Sequence, residues 1–155
     1  MGNFRSILLE DQNATRALGL RLAKALKAGD VVCLQGDLGA GKTTLARSVI
    51  AAICDVDDAP SPTYTIIQTY ETSDDIPLWH VDLYRIEESG ELEQLGLEDA
   101  FDEAISLIEW PERLGAGVPE NRLEVSLITP DDGLDTSRQA RITGFGEWES
   151  RVDDI

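Results

Sequence analysis

The stretch Gly36-Asp37-Leu38-Gly39-Ala40-Gly41-Lys42-Thr43 satisfies the spacing G-x-x-x-x-G-K-[ST] at every fixed position. Each of those positions has a physical task. The glycines allow a sharp backbone turn that brings N–H groups close to phosphate oxygens. Lysine reaches the β- and γ-phosphates, and the hydroxyl that follows it ligates a magnesium ion. The setting agrees with the motif. An apolar run, Val31-Val32-Cys33-Leu34, precedes it as a buried strand, and Thr44–Ile53 reads as a helix behind it. The positive end of that helix then faces the same anion. Gly36, Asp37, Leu38, Gly39, Ala40, Gly41, Lys42, Thr43 and Thr44 are accordingly expected to bind a nucleoside triphosphate.

Working outward, Asp11 to Gly29 has helical periodicity, with Ala14, Ala17, Leu18, Leu22, Ala25 and Leu26 on one face. Asp11 or Asn13 caps its start and Gly29 ends it. Beyond the phosphate loop's helix, Pro60-Ser61-Pro62 excludes helix, and Thr65–Tyr70 and Leu78–Tyr84 read as strands. Ile86–Glu103 is acidic and helical in two pieces broken near Gly96, and Ala104–Ile108 is a short apolar strand. Pro111–Asn121 reads as a loop. Leu123, Val125 and Leu127 alternate as a half-buried strand, which Gln139–Phe145 joins as a hairpin across Asp131-Asp132-Gly133. The last ten residues read as a tail. The class is α/β with one main sheet. Residues 1–130 form the nucleotide-binding domain, and 131–155 form a hairpin strand and acidic tail, of the same domain or an extension of it.

Composition narrows the function. The chain of 155 residues has 30 acidic and 13 basic side chains, a net charge of −17. Such a surface repels nucleic acid phosphates, so work in a nucleic acid pathway would pass through a protein partner. The N-terminal residues lack a signal peptide's pattern and no apolar run is long enough to span a membrane. Cys33 and Cys54 sit where small buried hydrophobes belong. Together these features place the chain in the cytoplasm.

A nucleotide loop needs carboxylates near the metal. Leu78-Trp79-His80-Val81-Asp82 is an apolar strand ending in an acid, the usual place for a Walker B aspartate, and Ala104–Glu109 is a second. Asp82 and Glu109 are candidates for holding magnesium with Thr43 and for orienting the attacking water; the residues alone leave the two roles unassigned. His80 falls on the same strand face as Asp82, either packed and hydrogen-bonded, the commoner state of a lone strand histidine, or standing behind the metal site. Arg85 is a candidate internal cation for the phosphates or a partner for the acidic helix after it. Ser61, Thr63 and Thr65 lie where P-loop proteins keep a switch that senses the γ-phosphate.

Taken together, Gly36–Thr44, Ser61-Pro62-Thr63-Tyr64-Thr65, His80-Val81-Asp82-Leu83-Tyr84-Arg85 and Glu109-Trp110-Pro111-Glu112-Arg113 resemble the bacterial TsaE (YjeE) family over about residues 6–128. Tyr64 stands where that family usually has phenylalanine. The resemblance implies a P-loop fold with a mixed sheet, and Mg-ATP held by Lys42 and Thr43. It further implies Asp82 as the Walker B-like acid, Glu109 as a second essential acid with Trp110 beside it, and Ser61–Thr65 as the switch-like loop. Family members are weak ATPases that act with the TsaB–TsaD pair, which threonylcarbamoylates adenosine 37 of ANN-decoding tRNAs. An acidic subunit with no direct grip on tRNA suits that arrangement.

Rival readings are a small-molecule kinase, a GTP switch, and a nucleotide-gated binding module with incidental hydrolysis. No lysine or arginine lies between Arg85 and Arg113, where a kinase's phosphate lid would fall. None of the three lysines follows an asparagine, so the guanine-reading N-K-x-D is missing.

Overall fold

The computed structural model describes residues 3–37, 39–54, 67–86, 95–129 and 137–155. Among them, strands β1 (Asn3–Leu9), β2 (Val31–Gly36), β3 (Ile67–Glu71), β4 (Pro77–Asp82), β5 (Ile105–Glu109), β6 (Arg122–Ile128) and β7 (Arg138–Phe145) form one sheet. Its order is β1-β7-β6-β2-β5-β4-β3. Helices α1 (Gln12–Ala25), α2 (Lys42–Ile53), α3 (Leu97–Glu103) and α4 (Trp148–Arg151) accompany it, with 3-10 turns at Pro111–Gly117 and Val152–Asp154. The sheet is mixed: β2 runs parallel to both β5 and β6, while β1–β7, β6–β7 and β3–β4 are antiparallel.

Sequence pattern explains the layering. Val31, Val32, Cys33 and Leu34 are all buried because the central strand β2 is covered on both faces. One face carries Val32, Leu34 and Leu107 against Leu18, Leu22, Leu45 and Val49 of α1 and α2. The other carries Val31, Cys33, Val81 and Ile108 against Leu97 and Leu114. Strand β6 instead alternates buried and half-buried residues, as a strand with one open face does.

Helix α1 starts as expected, with the Ala14 N–H donating to the Asp11 carboxylate at 2.9 Å. It ends earlier than expected, because Leu26 turns extended at φ −79°, ψ 142°. Gly29 serves the following turn. The buried face is Thr15, Leu18, Gly19, Leu22 and Ala23, and Ala17 is exposed. The acidic segment's second piece is α3, which starts after Gly96; residues 87–94 lie outside those described. The expected loop after Trp110 contains a 3-10 helix with proline in its first turn, a position where the missing N–H costs nothing. Strand β4 stops at Asp82, and Tyr84 sits in the turn beyond.

Strand β1 precedes the first element read from the sequence and pairs along its length with β7. One sequence expectation needs correction. The last ten residues are not a tail. They form α4 and the closing 3-10 turn, and Trp148, Val152 and Ile155 join the main core. The reason is spacing: these three apolar side chains recur at helical intervals among charged ones. Arg151 then locks the end down, its two guanidinium nitrogens donating to the Asp30 carboxylate at 2.7 and 2.8 Å.

Candidate functional site

The phosphate loop joins β2 to α2, and its backbone requires glycine where the motif has it. A Cβ at Gly36 would lie 2.8 Å from the Leu127 carbonyl oxygen of the neighbouring strand. Gly41 caps α2 in the left-handed region at φ 106°, with no side-chain cap and no acid in the first turn. The leading N–H groups of the helix are thereby left for an anion. Gly36, Gly39, Ala40, Gly41, Lys42, Thr43 and Thr44 come together here. Asp37 is exposed and its carbonyl accepts from the Ala40 N–H at 3.0 Å. Leu38 lies outside the described residues, as do Ser61, Thr63 and Thr65.

Parallel pairing of β4 with β5 sets Asp82 opposite Glu109 and His80 opposite Leu107. His80, Asp82 and Glu109 therefore point to the sheet face that packs on α2. Glu109 is 3% exposed and His80 fully buried. The Thr43 hydroxyl donates to Glu109 Oε1 at 2.9 Å, and His80 Nε2 donates to Oε2 at 2.7 Å. Facing a carboxylate, Nε2 carries the proton. His80 Nδ1 is buried with no hydrogen-bond partner among the described residues. The histidine thus packs in the core and at the same time holds the carboxylate that faces the loop.

Lys42 is 4% exposed. Its ammonium donates to the Gly36 carbonyl at 2.6 Å and lies 3.5 Å from the centre of the Trp110 ring. Burial is the foremost influence on the amine and lowers its pKa, opposed by the carboxylates of Glu109, Glu112, Asp82 and Asp37. Burial also raises the pKa of Asp82, offset by the Tyr84 N–H, which donates to Oδ1 at 3.0 Å. Trp110 adopts φ 61°, ψ 51°, a strained region for a bulky residue. Its ring packs against Tyr84, tilted by 47° with centroids 4.9 Å apart.

Lys42, Thr43, Asp82, Tyr84, Glu109 and Trp110 line a cleft of about 260 Å³ together with Gly39, Gly41 and Thr44. Arg85 is exposed and is not among the lining residues. Tyr84 is the site residue that sequence reasoning passed over. Its position two residues beyond Asp82 was available as a clue, but the ring contact depends on the turn conformation of Trp110. Within the cleft Thr43, Asp82 and Glu109 offer a hydroxyl and two carboxylates, an all-oxygen set that suits a hard cation such as magnesium.

No helix among the described residues is long and apolar enough to cross a membrane. Residues 9–140 match the family model described as threonylcarbamoyl adenosine biosynthesis protein TsaE. A Nostoc protein named tRNA threonylcarbamoyladenosine biosynthesis protein TsaE is 42% identical over 90% of this chain and 85% of its own. Proteins of that name from Streptomyces coelicolor and Bacillus subtilis are each 38% identical, over 89% and 85% of this chain and 95% and 80% of theirs. A crystal structure of Bacillus subtilis YdiB superposes with a TM-score of 0.81 at 26% identity, covering 99% of this chain and 94% of that one. The chain belongs to the TsaE family of tRNA threonylcarbamoyladenosine biosynthesis proteins.

Proposed function

We propose that the chain is a magnesium-dependent ATPase that supports threonylcarbamoylation of adenosine 37 in ANN-decoding tRNAs by acting on a TsaB–TsaD complex in the cytoplasm. The observation that carries this reading is the connected chain Thr43–Glu109–His80, built against a loop whose Lys42 is buried in the same cleft. A plain glycine-rich turn has no use for a buried carboxylate held from both sides.

Lys42 would meet the β- and γ-phosphates with a point charge, and the free N–H groups at the start of α2 would take phosphate oxygens. Thr43, Asp82 and Glu109 would hold magnesium. When bound, the ion neutralises charge that builds on the phosphate oxygens. Asp82 and Glu109 divide between them the tasks of ligating the ion and orienting a water, and His80 fixes the rotamer of Glu109 for its part. Ser61, Thr63 and Thr65 would sense the γ-phosphate as a switch. An acidic surface with net charge −17 leaves the grip on tRNA to the partners.

The test is ATP hydrolysis by the purified protein, alone and with TsaB and TsaD. A low rate alone that rises with the pair and is lost in Lys42→Ala supports the proposal. ATP binding with no stimulation would reduce the chain to a nucleotide-gated binding module.

A further inference from the structure

The cleft is poor in positive charge. Among the described residues that line it, Lys42 is the one basic side chain, set against Asp82 and Glu109. Its ammonium is already engaged by the Gly36 carbonyl and the Trp110 ring. The flanking arginines, Arg85 beyond β4 and Arg113 in the 3-10 turn after β5, are both exposed and outside the lining. Phosphoryl transfer gathers negative charge on the γ-phosphate oxygens, and sites of this kind gain much of their rate from a guanidinium added to the lysine.

The rim has what a guanidinium needs. Tyr84 is 48% exposed, and its ring leans on Trp110 at 4.9 Å with 47° between planes. Lys42 lies over the half-buried Trp110, and Tyr84 is the more exposed of the two rings. Glu112 is exposed two residues after Trp110 and is near enough to act on Lys42 electrostatically. A flat cation stacks on an aromatic face while its N–H fork meets a carboxylate, a combination that suits arginine better than the compact, strongly hydrated lysine. Trp110 keeps a left-handed backbone that a bulky residue adopts under constraint, and its ring touches both Lys42 and Tyr84.

We infer that Tyr84, backed by Trp110 at the mouth of the cleft, is the docking surface for an arginine side chain contributed in trans by a partner protein, and that this arginine completes the phosphate site. The inference rests on the ATPase reading above and names the chemistry its partner must bring.

The experiment measures affinity rather than turnover. The full-length chain, loaded with a non-hydrolysable ATP analogue and magnesium, is titrated with purified TsaB–TsaD complex. Tyr84→Phe keeps the ring and is expected to bind like the unsubstituted chain. Tyr84→Ala is expected to bind about fivefold more weakly or worse. In parallel, Tyr84→p-benzoylphenylalanine is irradiated in the complex, and the crosslink is expected beside an arginine of the partner. Unchanged affinity in Tyr84→Ala, or a crosslink at a segment without arginine, overturns the inference while leaving the ATPase reading standing. Failure of the unsubstituted chain to bind the complex at all brings down the partner reading, and this inference with it.

Discussion

The coupling between His80 and Glu109 gives a sharp prediction, because both groups are buried and bonded directly to each other. Glu109 is 3% exposed and its Oε2 accepts from His80 at 2.7 Å. Replacing His80 with phenylalanine removes a bond to a charged acceptor, a loss of about 1.5–3 kcal/mol, and strands a buried carboxylate oxygen. Replacing Glu109 with leucine strands the His80 N–H instead, at about 1–3 kcal/mol. Making both changes leaves an apolar pair with neither of these orphans. The Thr43 hydroxyl loses Glu109 in the Glu109 single and the double variant alike, so its cost cancels from the cycle. The double variant should therefore be more stable than the sum of the single losses predicts, by about 1.5–3 kcal/mol. Urea unfolding of the four proteins, followed by tryptophan fluorescence, completes the cycle. Additivity within about 0.5 kcal/mol would refute the claim that these residues act as one unit.

Three further outcomes follow from the core and its titratable groups. Trp148→Ala should cost about 3–5 kcal/mol, since the side chain is 1% exposed; a urea midpoint near that of the unsubstituted chain would restore the C-terminus to the status of a tail. Burial pushes the Cys33 thiol up to about 12 and the Cys54 thiol up to about 11, from an ordinary 9.0. Above pH 9 the folded chain keeps protons that the unfolded chain has lost, so stability should fall by about 1.4 kcal/mol per pH unit for each thiol. A double Cys→Ala variant should lose that slope in urea melts, and an identical alkaline slope would contradict it. Burial lowers the pKa of Lys42, so its charge opposes folding below that pKa. Lys42→Met should raise the melting temperature of the nucleotide-free protein, by an amount that shrinks as pH climbs toward 10.5; a lower melting temperature would count against it.

The site was legible where chemistry depends on short spacing. The loop from Gly36 to Thr43 and the acids closing two apolar strands are local patterns, and α/β architecture follows from their alternation with helices. Pairing was less legible. That Asp82 and Glu109 stand side by side depends on β4 and β5 being parallel neighbours, which no local window contains. Strand β1 escaped notice because Phe4 and Leu8 point away from the core and are more than half exposed, which blurs its alternation. The C-terminal helix was obscured by its brevity and its charge, although Trp148, Val152 and Ile155 are all buried. Tyr84 was hidden by conformation: its packing partner is a tryptophan at a positive φ, a rare event that residue type does not forecast.

The central claim is that the loop, Lys42 and the Thr43–Glu109 pair constitute a magnesium-nucleotide site. The most direct measurement is calorimetric titration of the purified chain with ATP in the presence of magnesium, repeated with Lys42→Ala and with magnesium chelated. The account predicts saturable binding by the unsubstituted chain that weakens at least about tenfold in each of the other two titrations. Equal affinity in all three would contradict it.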